Sequence, residues 1–174
     1  MQSGSISYAR LKGIYVLKFS GSISVPLSPD LSDFGEKLIS DPELAGVVID
    51  LTAVKSIDST ALGLLVNIAA GVRKLNLDQP VIISTDANVS RTLEVTGFSQ
   101  VFHIVEKLPD SVADSCRVQT ELPSVDSNEL EICEKVLQAH RNLMRLNESN
   151  RDTFHPVVIA LEKEQQVKLS KNLL

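Results

Sequence analysis

Apolar and polar residues alternate, cluster and recur along the chain in ways that predict strands and helices in turn. Residues 5–9 and 13–20 are two β-prone runs on either side of Lys12-Gly13, which is typical of an antiparallel hairpin. The mainly apolar run at 47–51 has the length of a strand that is covered on both faces. Similar short runs at 81–83 and 101–105 predict two more strands.

Helical spacing of apolar residues separates these predicted strands. Segments 29–40, 58–75 and 89–96 each place apolar side chains three or four residues apart. Residues 20–24 break the pattern and predict a solvated turn, and residues 54–57 predict a short turn before the second helix. Strands that alternate with helices favour a mixed sheet with helices packed on a face.

The last third of the chain has a different character. A short helix carrying Val112 and Cys116 is expected to close the first unit. The predicted organisation is a domain over residues 1–116, a linker over 117–128, and a helical extension over 129–174. The extension contains two amphipathic segments with helical spacing, which predict an α-helical hairpin.

Short amphipathic helices depend on packing, so the hairpin needs an apolar surface to cover. Three arrangements satisfy that need. The hairpin folds back over its own domain, it pairs between two copies in a homodimer, or it serves as an arm that binds a second signalling protein. The sequence leaves all three open.

Charge and composition narrow the class of partner. The net charge is −5 and no basic stripe is present, which argues against nucleic acid. No apolar run reaches membrane-spanning length, and the chain opens without a signal-peptide pattern, so no membrane partner and a cytoplasmic protein are expected. Cys116 and Cys133 lack metal-ligand spacing and are expected to be reduced thiols; no metal or cofactor is predicted.

The main chemical feature is the Asp58-Ser59-Thr60 triplet at the start of the second predicted helix. A helix N-terminus has unpaired N–H donors and partial positive charge, so it tolerates an added anion. A phosphate there would add a charge of about −1.5 to −2. Spacing alone allows two interpretations, and it favours Ser59 as an N-cap over Ser59 as a regulatory phosphorylation site.

Residues 49–65, IDLTAVKSIDSTALGLL, resemble the signature of the STAS domain of bacterial anti-sigma factor antagonists. The matching positions are Asp50, Leu51, Val54, Ile57, Asp58, Ser59, Thr60, Leu62 and Gly63. A second conserved stretch of that family matches Arg91, Leu93, Thr96, Gly97 and Phe98. Two motifs at the correct separation are more specific than one, and the resemblance covers about residues 5–115.

The resemblance implies an α/β fold with a small mixed β-sheet and helices mainly on one face, followed here by the helical hairpin. It implies a binding protein and not an enzyme. Unphosphorylated, the chain would bind an anti-sigma factor that has serine kinase activity; phosphorylation of Ser59 would release that partner, and a PP2C-type phosphatase would restore binding. The implied partner-binding residues are Asp58, Ser59, Thr60, Ala61, Gly63, Ser22 and Ser24.

Two departures from the family pattern keep a second interpretation open. Ala61 stands where the family usually has glycine, and Ser24 stands where it usually has an aspartate that engages the partner. The alternative is a STAS interaction or sensor module that scaffolds a signalling complex without partner switching.

Overall fold

The structure, a computed structural model, describes residues 3–110 and 119–173. Its strands are β1 (Ser5–Leu11), β2 (Ile14–Ile23), β3 (Gly46–Ile57), β4 (Val81–Ile83), β5 (His103–Val105) and β6 (Thr120–Glu121). Its α-helices are α1 (Ser28–Ile39), α2 (Ser59–Lys74), α3 (Ala87–Val95), α4 (Glu129–Met144) and α5 (Glu148–Asn172). The helix expected around Val112 and Cys116 lies outside the described residues.

Within the described ranges, the strands form one six-stranded sheet in the order β5-β4-β3-β2-β1-β6. Strand β1 pairs antiparallel with β2 and β6, whereas β2, β3, β4 and β5 pair parallel with their neighbours. Lys12 and Gly13 turn the β1–β2 hairpin with φ values of 48° and 80°, and glycine favours that left-handed region. The predicted mixed sheet is therefore confirmed.

Two predicted turns are wrong for one shared reason. Strand β2 continues to Ile23 and β3 continues to Ile57, so residues 20–23 and 54–57 are extended. The two segments pair with each other in parallel, past bulges beside Ser20 and Gly21. Each segment satisfies the backbone hydrogen bonds of the other. The pattern of apolar and polar residues within either segment does not reveal that the two segments pair with each other.

The main core lies on one face of the sheet. Strand residues that point to this face are Leu17, Phe19, Ile49, Leu51 and Ile82, each fully or almost fully buried. Helices α1, α2, α3 and α4 all contribute side chains to this same core. A smaller cluster of Val16, Val48 and Ile83 lies on the opposite face. The expected packing of helices mainly on one face is confirmed.

The C-terminal hairpin, α4 and α5, folds back onto the sheet domain. Ala139 and Leu143 of α4 are buried in the main core, and α4 packs along α2 and touches α1. The Lys135 ammonium donates to the Ser32 hydroxyl at 3.0 Å. No helix in the described part of the chain has an apolar stretch long enough to cross a membrane.

The two helices of the hairpin also hold each other. Arg141 of α4 pairs with Glu162 of α5 at 2.7 Å. Cys133 is a free thiol, buried beside the carbonyl oxygen of Leu161 at 3.9 Å. Burial raises the pKa of the Cys133 thiol, because desolvation disfavours the thiolate.

A polar cluster joins the β1–β2 hairpin to the chain after α1. The Tyr15 hydroxyl donates to the Asp41 carboxylate at 2.6 Å, and the Arg10 guanidinium donates to the same oxygen at 3.0 Å. The Glu43 backbone N–H donates to the other carboxylate oxygen at 2.9 Å. These donors, the Tyr15 hydroxyl first, lower the pKa of Asp41, since they stabilise its charged form.

The lowered pKa of Asp41 predicts a pH dependence of stability. Its contribution is fully present above the ordinary carboxyl pKa of about 3.9 and is lost as the pH falls through the lowered value. Tyr15→Phe removes the principal donor, so we expect a smaller loss of stability between pH 5 and pH 3 than in the wild type. Urea denaturation at a series of pH values measures this. An equal loss in both proteins would contradict the assignment.

Candidate functional site

Helix α2 begins at the end of the longest strand of the sheet. Asp58 stands between them with extended backbone, φ −86° and ψ 169°. Its carboxylate accepts from the backbone N–H of Ala61 at 2.9 Å. Asp58 is therefore the N-cap, and Ser59 is the first helical residue. The interpretation of Ser59 as the N-cap is wrong. The Asp58 carboxylate already accepts from the free backbone N–H of Ala61, which is the bond that an N-cap side chain makes.

The structure brings the two predicted halves of the site together at one edge of the sheet. Ile23 pairs with Ile57, and the Asp58 backbone N–H donates to the Ile23 carbonyl at 3.1 Å. Ser22 and Ser24, on either side of the last residue of β2, therefore lie beside the start of α2. Ser22 is half-buried and Ser24 is exposed.

The remaining predicted residues differ in accessibility. Ser59 and Asp58 are half-buried, whereas Thr60 and Ala61 are 2% and 3% exposed. Gly63 lies one helical turn after Ser59, on the side where α4 packs. Of the predicted set, Ser59, Asp58, Ser22 and Ser24 thus retain accessible surface.

A histidine of α4 contacts Ser59 directly. The Ser59 Oγ and His140 Nε2 are 2.9 Å apart, and His140 is 5% exposed. His140 Nδ1 lies 2.7 Å from the Val136 carbonyl oxygen. A carbonyl only accepts, so Nδ1 carries the proton; in the neutral ring Nε2 is then the acceptor, and the Ser59 hydroxyl donates to it. Both ring nitrogens of His140 therefore have hydrogen-bond partners.

Gly63 is the point where α2 and α4 approach most closely. A Cβ placed on Gly63 would stand 2.6 Å from the Cα of Ala139 and nearer still to its carbonyl oxygen. The Asn142 side-chain amide donates to the Gly63 carbonyl at 3.3 Å. Gly63, which the family resemblance assigns to partner binding, thus permits the close approach of the chain's own α4.

The sequence interpretation did not pair His140 with Ser59, although one signal pointed that way. Residues 60–66 are all buried, and the run from Ala61 to Val66 has no polar side chain. A helix that covers only a sheet needs one apolar face. An apolar run all round the first turns of α2 indicates a second covering element, which is α4.

The distance between Ser59 Oγ and His140 Nε2 falls in the range found between a catalytic nucleophile and its general base. Its surroundings do not favour catalysis, because the His140 ring is buried and a substrate could not reach it. The ring lies between α2 and Phe154, and the centroids of the His140 and Phe154 rings are 5.6 Å apart. Over the described ranges, no group of three or more His, Cys, Asp or Glu side chains is placed to hold a metal ion.

The chain is similar to known proteins in both sequence and fold. The sequence profile of the STAS domain matches residues 5–114, more than half of the chain. The fold is similar to that of an anti-sigma factor antagonist from Mycobacterium paratuberculosis, with 24% identity, a TM-score of 0.52, and coverage of 64% of this chain and 93% of that one.

Two further solved structures share the fold at lower identity. One is SpoIIAA, described as an anti-sigma factor antagonist in its unphosphorylated form, with 8% identity, a TM-score of 0.53, and coverage of 64% of this chain and 96% of that one. The other is the Bacillus cell fate determinant SpoIIAA in the phosphorylated form, with 8% identity, a TM-score of 0.52, and coverage of 64% and 98%. At these identities the likeness establishes the fold.

The contact at Gly63 predicts an effect on the hairpin. Gly63→Ala adds a methyl group against the backbone of Ala139, so we expect the docked hairpin to lose about 1–3 kcal/mol through overpacking, while α2 itself is favoured by alanine. Hydrogen exchange of α4 and α5 should become faster. Gly46→Ala is the control, because its Cβ would meet only Ile14 at 3.9 Å. Unchanged exchange in Gly63→Ala would contradict the contact.

Proposed function

Because the chain belongs to the STAS domain family, we propose that it is a phosphorylation-controlled anti-sigma factor antagonist that binds an anti-sigma factor through the start of α2. The observation that carries this proposal is the position of Ser59. It is the first residue of α2, directly after the Asp58 cap, and its side chain lies at the sheet edge beside Ser22 and Ser24.

Electrostatics gives this position its capacity to switch. A phosphate on Ser59 would add about −1.5 to −2 charge beside the carboxylate of Asp58. The helix N-terminus tolerates the charge within the chain. A partner that packs against the same edge would have to desolvate that charge, which opposes docking. Binding in the unphosphorylated state and release after phosphorylation follow from this difference.

The same scheme defines the partners. The anti-sigma factor supplies the serine kinase activity, and a PP2C-type phosphatase removes the phosphate and restores binding. This chain contributes a binding surface and the acceptor hydroxyl, so it acts as a regulatory protein and not as an enzyme. The description of SpoIIAA in unphosphorylated and phosphorylated forms supports the analogy with a protein of the same fold.

The two departures from the family pattern affect the proposal unequally. Ala61 is 3% exposed and belongs to the main core, so its methyl group is covered while the hairpin is docked. Ser24 is exposed and has no carboxylate. A hydroxyl at this position can form a hydrogen bond with a partner but cannot form the ion pair that a carboxylate would form.

A second candidate function follows from one observation. Helix α4 lies against Gly63 and His140 contacts Ser59, so part of the face is covered within the chain itself. A STAS module that scaffolds a signalling complex without switching would keep this cover permanently. In that case a second signalling protein would bind elsewhere, through the outer surface of the hairpin.

Charge at position 59 should separate the two functions. We expect Ser59→Asp to weaken capture of an anti-sigma factor from the native host by about tenfold or more, because the new charge must be desolvated on docking. Ser59→Ala should capture at least as much as the wild type. A pull-down with mass spectrometry measures both.

Ser149→Asp is the control, since Ser149 is an exposed residue in the first turn of another helix, α5. Intact-mass measurement of the native protein should also show a fraction heavier by about 80 Da, the mass of one phosphate group, at Ser59. Equal capture by all variants, with no phosphorylated fraction, would reject switching and favour the scaffold.

A further inference from the structure

The hairpin meets the domain at the same place that the proposed function assigns to the partner. His140 contacts Ser59, Ala139 packs on Gly63, and Asn142 donates to the Gly63 carbonyl. An anti-sigma factor and α4 cannot both occupy this surface. The chain thus carries its own competitor for the start of α2.

The interface contains buried polar side chains as well as apolar ones. Six polar residues are buried among those described, and three of them, His140, Asn142 and Asn150, belong to the hairpin. Each bonds to the domain: to the Ser59 hydroxyl, the Gly63 carbonyl, and the Thr96 carbonyl at 2.9 Å. Water can satisfy these groups after separation, whereas the apolar contacts of Ala139 and Leu143 with the main core would be lost.

The hairpin is also able to leave as a unit. The Arg141–Glu162 pair and the burial of Cys133 and Val158 hold α4 against α5 independently of the domain. Residues 122–128 join it to the sheet, and seven extended residues span up to about 25 Å. That reach exceeds the diameter of a helix, about 10 Å.

Phosphate on Ser59 would replace the hydrogen bond that the Ser59 hydroxyl now donates to neutral His140. The Ser59 hydroxyl donates a hydrogen bond to His140 Nε2 over a distance of 2.9 Å. A phosphoester oxygen has no proton to give, and its phosphorus would have to occupy the space that the hydrogen bond now spans. Beside it, the backbones of α2 and α4 are already in close contact at Gly63 and Ala139, so the two helices cannot move closer together.

From these contacts we infer that the C-terminal hairpin is a cover that acts in cis: docked, it withholds Ser59 from kinase and anti-sigma factor, and its release makes the site available. Phosphorylation of Ser59 then holds the hairpin open. This inference rests on the proposed function for the identity of the partner, but the opening itself does not depend on it.

Access to position 59 tests the cover without any partner. In the full chain carrying Ser59→Cys, Cys116→Ser and Cys133→Ala, the single thiol is reacted with a maleimide attached to polyethylene glycol. Ala139→Glu places a carboxylate at a fully buried interface position, so it should raise the labelling rate about tenfold or more. Gln166→Glu, at an exposed position of α5, should leave the rate unchanged. Equal rates in all three proteins would overturn the cover.

A second variant is needed because Ala139→Glu could unfold the hairpin as well as undock it. His140→Ala removes the contact with Ser59 and the ring contact with Phe154 without adding a charge. His155→Ala is the matched control because His155 is exposed on α5. We expect several-fold faster hydrogen exchange in the first turn of α2 for His140→Ala alone, with exchange of β2 and β3 unchanged. No difference between the two histidine variants would mean that His140 does not hold the cover.

Capture from the native host separates this inference from the proposed function. More anti-sigma factor and more phosphorylated Ser59 with Ala139→Glu than with Gln166→Glu support both. Faster labelling with neither phosphate nor anti-sigma factor would retain the cover and reject the proposed function. Equal capture and equal labelling would retain the proposed function and reject the cover.

Discussion

The burial of α2 on two sides is the constraint on which the rest of the structure depends. Its inner side packs on the parallel strands, and its outer side packs on α4, so residues 60–66 are all buried. Only a small residue permits the second contact, and Gly63 supplies it. Ser59, at the free end of this helix, is held between the sheet edge and the hairpin.

This double burial links stability to signalling in one element. The contacts that complete the core of the chain, Ala139 and Leu143 among them, also bring His140 to the Ser59 hydroxyl. Whatever displaces the hairpin therefore changes both the packing of α2 and the accessibility of its first residue. A modification of the Ser59 hydroxyl can act on the helix pair because that hydroxyl is one of the groups through which α2 contacts α4.

The polar cluster at the opposite end of β2 has a different role. Tyr15, Arg10 and Asp41 fix the β1–β2 hairpin to the loop before β3. With that end fixed, the parallel pairing of β2 with β3 extends through the bulges to Ile23 and Ile57. The position of Ser22 and Ser24 beside Asp58 follows from this register, far from the cluster that secures it.

The sequence by itself determined the sheet with its helices, the position of Ser59 at the start of α2, the helical hairpin, and membership of the STAS family. Local periodicity, capping residues and two motifs carry that information, since each depends on neighbours within a few residues. Tertiary structure decided the rest: the extension of β2 and β3, and the contact of Ser59 with a histidine 81 positions away. Such contacts arise from the docking of separate elements, and no pattern within either element specifies its partner.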